Sequence, residues 1–129
     1  MKLQHSLRII SAGALIVLVG AWATAPQTGP AALAGMWTNS LGTVWTISAD
    51  GTFHVMFTTP KGEIWGKYTV PADMVTIQGI RPSTAIPKGC KRPGLYKFSQ
   101  QNANTLTFLL VSDICKARIQ NVTQRWTKK

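Results

Sequence analysis

Apolar and polar residues alternate along this chain in short runs, and turn-forming residues separate the runs. Residues 44–48 alternate and end at Ala49-Asp50-Gly51-Thr52. Asp-Gly between alternating runs predicts a hairpin, because glycine takes the positive φ of a primed turn without steric cost. Residues 53–58 follow, then Pro60-Lys61-Gly62, residues 63–70, Pro71-Ala72-Asp73 and residues 74–78. A longer, Pro-rich loop is expected over 79–93. Strands at 94–99, 105–111, 116–122 and 124–128 complete the series, with a polar turn at 100–104.

Side chains on a strand point alternately to opposite faces, so parity sorts an inner from an outer set. One parity holds Trp45, Ile47, Phe53, Val55, Phe57, Ile64, Tyr68, Val70, Val75 and Ile77, then Tyr96, Phe98, Leu106, Phe108, Leu110, Ala117 and Ile119. The other is mostly Thr, Lys, Gln and Ser, with His54 and Arg118 among them. Trp65, Met56, Leu109 and Val111 are apolar residues on that polar parity, a candidate outer patch. About eight short strands joined mainly by hairpins predict an all-β, up-and-down antiparallel barrel, whose closure removes exposed sheet edges.

The N-terminal part of the 129 residues has a different pattern. Lys2, His5 and Arg8 precede an uncharged apolar stretch, 9–25, that ends in Ala21, Ala23, Thr24 and Ala25. That order predicts a signal peptide over 1–25, cleaved after Ala23 or Ala25. Its apolar core, 9–20, is short of the ~20 residues a bilayer span needs. The exported protein is expected to be secreted or periplasmic, without a membrane span. Residues 26–34 read as a flexible lead-in and 35–129 as one domain.

Export changes the meaning of the two cysteines. Cys90 and Cys115 both lie in the exported part, and an even pair in an oxidising compartment predicts a disulfide. Two thiols and His54 are too few to hold zinc, so no metal site is expected. Lys and Arg number 14 against 4 acids, a net charge of +10. Arg81, Lys88, Lys91, Arg92 and Lys97 share one acid-free stretch, which serves solubility or attracts an anionic envelope partner. Nucleic acid is not an expected partner for an exported chain without a binding motif.

Catalytic chemistry has little support. His54 falls on the outer parity, Asp50 and Asp73 lie in turns, and Glu63 begins a strand. No nucleophile–base–acid set or paired carboxylates emerge, and no inward His offers itself to haem, so neither catalysis nor a cofactor is expected. Asp113 is explained by a local ion pair or an Asx turn.

The order of short motifs carries a resemblance. Gly35-Met36-Trp37 is a Gly-x-Trp opening, followed by Asp50-Gly51-Thr52-Phe53, Gly66-Lys67-Tyr68-Thr69-Val70, Asp73-Met74-Val75-Thr76, Gly94-Leu95-Tyr96-Lys97-Phe98 and Thr105-Leu106-Thr107-Phe108. Asp113-Ile114-Cys115-Lys116-Ala117-Arg118 and Arg125-Trp126-Thr127 close the run. Over residues 33–128 this resembles the small exported bacterial lipocalin-like domain of the calycin superfamily. The resemblance implies a barrel whose floor holds Trp37 under a basic residue, Arg118 or Arg125, with a cation on the ring worth ~0.5–2 kcal/mol. Residues 37–43 also resemble the first strand of avidins, which implies Asn39, Leu41 and Thr43 as contacts for biotin.

Small eight-stranded barrels either fill themselves or hold one small molecule. The expected function is non-catalytic binding of a small, largely apolar ligand in or at the mouth of the barrel, facing Trp45, Phe57, Tyr68, Tyr96, Phe98 and Phe108. The alternatives are a filled barrel that acts as an envelope interaction or inhibitor module through its basic loop, and avidin-like biotin binding.

Overall fold

The computed structural model describes residues 30–129 and Gly13. The expected signal peptide (Gly13 apart) and residues 26–29 lie outside the described residues.

The strands are β1 (Gly35–Thr38), at the Gly-x-Trp motif, and, on alternating runs, β2 (Val44–Ile47), β3 (Thr52–Thr58), β4 (Lys61–Thr69), β5 (Met74–Arg81), β6 (Gly94–Asn102), β7 (Thr105–Ser112) and β8 (Trp126–Lys128). Each pairs antiparallel with the next, and β8 returns to β1, so the sheet closes into an eight-stranded up-and-down barrel. The Asp-Gly turn behaves as its chemistry requires. Gly51 has φ of 91°, and Asp50 Oδ1 accepts from the Thr52 N–H at 2.9 Å and its hydroxyl at 2.6 Å. Gly66 is required for a different reason: a Cβ there would stand 2.3 Å from both the Gln78 carbonyl and the Phe53 ring.

Inward parity fills the interior with Trp45, Ile47, Phe53, Val55, Tyr68, Val75, Ile77, Tyr96, Leu106 and Phe108, all buried. Trp45 is the hub of the rings, with centroids 5.1 Å from Trp126, 5.5 Å from Phe108 and 5.9 Å from Phe53.

Three expectations are corrected. Lys116–Val122 is a helix, α2, rather than a strand. β8 already pairs with β7 at Thr105 and Leu106, which leaves no gap for a ninth strand. The helix starts on Cys115, whose Sγ accepts from the Arg118 N–H at 3.4 Å. Ala117 and Ile119 therefore do not alternate into a lumen. Leu110 is 45% exposed instead of interior. β8 pairs only with the first two residues of β7, so the far half of β7 lacks a neighbour on one side. Finally, Pro30–Leu33 is a one-turn helix, α1, and not part of a flexible lead-in. Leu33 is fully buried, and its carbonyl accepts the Trp37 indole N–H at 2.9 Å.

Up-and-down order puts α1 and the 48–51, 70–73 and 103–104 turns at one end of the barrel. The 39–43 hairpin, the 82–93 loop and α2 crown the other. α1 plugs the first end, where the Tyr68 hydroxyl donates to the carbonyls of Ser48 and Pro30.

Candidate functional site

The opposite end is covered rather than plugged. The 82–93 loop contains two 3-10 turns, Ser83–Ala85 and Lys88–Cys90, and it folds over the mouth with Ile86 buried. α2 lies beside it and buries Val122. The Cys90 and Cys115 sulfurs are at disulfide-bonding distance, 1.98 Å, and join the loop to the start of α2.

A second clamp is ionic. Arg118 on α2 grips Asp113 with Nε and Nη2, each at 2.6 Å from a different carboxylate oxygen. Its remaining reach is to the loop: Nη1 donates to the Cys90 carbonyl at 3.3 Å and Nη2 to the Arg92 carbonyl at 2.8 Å. Asp113 also accepts from the Tyr96 hydroxyl and, at 2.9 Å, from the Cys115 N–H. The Asp113 side chain is 0% exposed and that of Arg118 10%. Burial pushes the Asp113 carboxyl up, but hydrogen bonds from Arg118, Tyr96 and Cys115 and the guanidinium charge outweigh it, so its pKa lies below the ordinary value. Burial first, and then the carboxylate beside it, raise the Tyr96 phenol far above its usual range.

Between this cap and the core lies a cavity of about 120 Å³. Its walls are Trp45, Phe53, Val55, Phe57, Ile64, Ile77 and Trp126; Ile86, Pro87, Ala117, Arg118, Asn121, Val122 and the two cysteines roof it. Gly79 lines it too and makes room for the roof, since a Cβ there would press on Ile64 and Ile86 at 3.1 and 3.3 Å. The surface is almost wholly hydrocarbon and sulfur. Its polar and charged lining residues, the two tryptophans apart, are the neutralised Arg118 and Asn121.

Of the residues expected to face a ligand, Trp45 and Phe57 line this cavity. Tyr68 is buried at the plugged end, Tyr96 is committed to Asp113, and Phe108 packs in the core with Phe98 half-buried against it. Asn121, Val122, Trp126, Ile86, Gly79 and Pro87 are the lining residues that sequence reasoning passed over. Val122 and Asn121 share the 117/118/121/122 face of α2, a helical spacing readable only once the segment is known to be a helix.

The avidin-like positions do not line the cavity. Asn39 and Thr43 spend their polar atoms on Asn121 and the hairpin backbone, and Leu41 is exposed. The cation over Trp37 is Lys128, its cross-strand partner, with Nζ 5.4 Å from the ring centroid. Arg118 works at the cap, and Arg125 donates to Gln101 Oε1 at 2.9 Å.

The basic stretch is divided between walls and cap. Lys97 pairs with Asp73 at 3.3 Å, and Arg81 lies 5.1 Å over the Trp65 ring. Lys88, Lys91 and Arg92 are exposed on the loop, without an acidic partner among the described residues. His54 stacks on Trp65 at 4.7 Å with Nε2 3.5 Å from Glu63, on the outer face. The expected outer patch is two features: Met56 and Trp65 lie on β3 and β4, while Leu109 and Val111 join Leu110 and Ile114 along β7 and its exit.

No family model, curated protein or solved structure matches the chain.

Proposed function

We propose that this chain is an exported, non-catalytic barrel that binds one small, largely apolar molecule in the cavity under its cap. The cavity itself carries the reading: about 120 Å³ of space with almost no polar lining, where a self-filled barrel would have none. An apolar cavity of about 150 Å³ stays dry and takes up benzene. Empty space beside Trp45 and Trp126 forfeits dispersion contacts that a ligand would restore. The absence of catalysis is supported by how the acids are used. Asp113 is saturated by three donor groups, and the histidine nearest an acid, His54, lies outside the barrel wall.

Closed up-and-down order, a Trp37 held by an N-terminal plug and a basic side chain on its ring support the lipocalin-like assignment. Export is supported by the apolar N-terminal segment and by the Cys90–Cys115 pair, which suits an oxidising compartment. Native mass spectrometry of the protein purified from its own envelope tests the function. A copurifying mass below ~150 Da is expected for a cavity of this size, and protein that is ligand-free and fails to take up small hydrocarbons would reject it.

One observation favours a second reading. Lys88, Lys91 and Arg92 stand exposed on the cap without acidic partners among the described residues, a surface suited to an acidic envelope protein. That association should weaken steeply as salt shortens the Debye length below ~10 Å. Salt-insensitive binding would leave the cluster with a solubility role.

A further inference from the structure

Backbone N–H groups can only donate, and that fixes two side-chain amides in turn. The Leu41 and Thr43 N–H groups approach one atom of the Asn39 amide at 3.0 and 3.2 Å. That atom is therefore the oxygen, and the Asn39 NH₂ faces α2. It meets one atom of the Asn121 amide at 2.6 Å and the Asn121 carbonyl at 3.3 Å. The Asn121 atom at 2.6 Å must accept, so it too is oxygen, and it takes the Thr43 hydroxyl as well at 3.0 Å. The Asn121 NH₂ is left without a partner among the described residues, on a side chain that lines the cavity.

Trp45 on the same wall also has an indole N–H without a partner among the described residues, but that nitrogen is sealed off and the side chain presents its ring rather than its N–H to the cavity. The one charged lining residue, Arg118, is already neutralised by Asp113. The site thus offers one neutral donor, a hydrocarbon surface and no uncompensated charge. A carboxylate entering it would lose its water with no free cation to replace it, which is prohibitive. A pure hydrocarbon would fill the space without giving the Asn121 NH₂ the acceptor that an oxygen supplies.

We infer that the ligand is a neutral, ring-sized molecule whose apolar body fills the cavity and whose single acceptor oxygen, a carbonyl or ether, takes the Asn121 NH₂. The inference rests on the cavity being the ligand site. Asn39 and Thr43 are then positioning residues: they orient the donor and do not touch the ligand.

The test compares cyclohexanone with methylenecyclohexane, rings of one shape that differ in an oxygen. Binding to the wild-type protein and to Asn121→Asp is followed by tryptophan fluorescence. Asp keeps the oxygen that Asn39 and Thr43 need and exchanges the cavity-facing NH₂ for a second oxygen. Expected is a loss of ~10-fold or more in ketone affinity, with the hydrocarbon changed less than ~3-fold. Equal effects on both probes, or none on either, would overturn the donor assignment and leave the cavity as a hydrocarbon site. Failure of both probes to bind the wild-type protein would overturn the site reading and the inference with it. If circular dichroism shows the variant unfolded, ¹H–¹⁵N spectra of the wild-type protein decide. The Asn121 side-chain NH₂ resonances must shift downfield with the ketone and not with the hydrocarbon, and equal shifts would overturn the inference.

Discussion

Replacing Arg118 by Met would keep much of its volume and remove the charge that matches a fully buried Asp113. Breaking a buried ion pair by deleting one partner costs ~3–5 kcal/mol, chiefly because the remaining charge is stranded. Asp113 would keep two donors, the Tyr96 hydroxyl and the Cys115 N–H, which argues for the lower half of that range. The Cys90 and Arg92 carbonyls would lose their donor, but they lie at the surface end of the clamp and can turn to water. Arg118→Met should therefore cost about 3–4 kcal/mol by urea denaturation at pH 7. Such a loss is a large part of the 5–15 kcal/mol typical of a domain this size.

The sign of the pH dependence is the stronger check. In the wild-type protein the folded Asp113 pKa lies below its unfolded value. Its stabilisation is therefore present above pH ~4 and lost as pH falls through the folded pKa. In Arg118→Met, burial acts without the cation and lifts the folded pKa above the unfolded one. The variant should then gain stability as pH falls from 7 toward 4, opposite to the wild-type trend. A cost below ~1 kcal/mol together with a flat pH profile would refute the buried clamp.

Other consequences can be measured on the same protein. Cys90→Ser opens a cross-link of sequence separation 25; it should remove ~3–4 kcal/mol on the chain-entropy model, with faster proteolysis over 80–93, and alkylation of two thiols without reductant would contradict the bridge. Phe108→Ala should cost ~3–5 kcal/mol as a core truncation while Thr107→Ala stays within ~0.5 kcal/mol, and the reverse order in thermal unfolding would mean the β7 register is wrong. Gly66→Ala forces a Cβ to 2.3 Å from the Gln78 carbonyl and the Phe53 ring, so a loss of ~2–3 kcal/mol is expected, and a neutral result in denaturant would contradict the close packing of β4 on β5.

The barrel wall was legible because strand periodicity and turn chemistry agree along it. Residues such as Trp45, Phe53, Val55 and Val75 are buried where alternation puts them, and Asp50-Gly51 turns where its backbone preferences require. The cap was not legible. Ala117 and Ile119 satisfy a two-residue period as well as a helical one, and Val122 is the only buried apolar anchor of α2, so no stripe announced the helix. Leu110 has the inward parity but lies beyond the two residues of β7 that β8 covers, and local pattern carries no information about where a neighbouring strand stops. The candidate site belongs mostly to that cap, which is why Ile86 and Asn121 escaped notice while Trp45 and Phe57 did not. Asn39 and Thr43 were conspicuous for their resemblance to a binding strand, yet their atoms are spent holding another side chain.

Uptake of benzene followed by ¹H–¹⁵N and methyl spectra puts the central claim to the most direct test. Saturable shifts should appear at the Trp45 and Trp126 indoles and the Val55, Ile77 and Ile86 methyls, which line the cavity, while the Trp65 indole on the outer face stays still. Shifts that never saturate, or that spread over exposed Leu109, Leu110 and Ile114 and spare the cavity residues, would contradict a binding site under the cap.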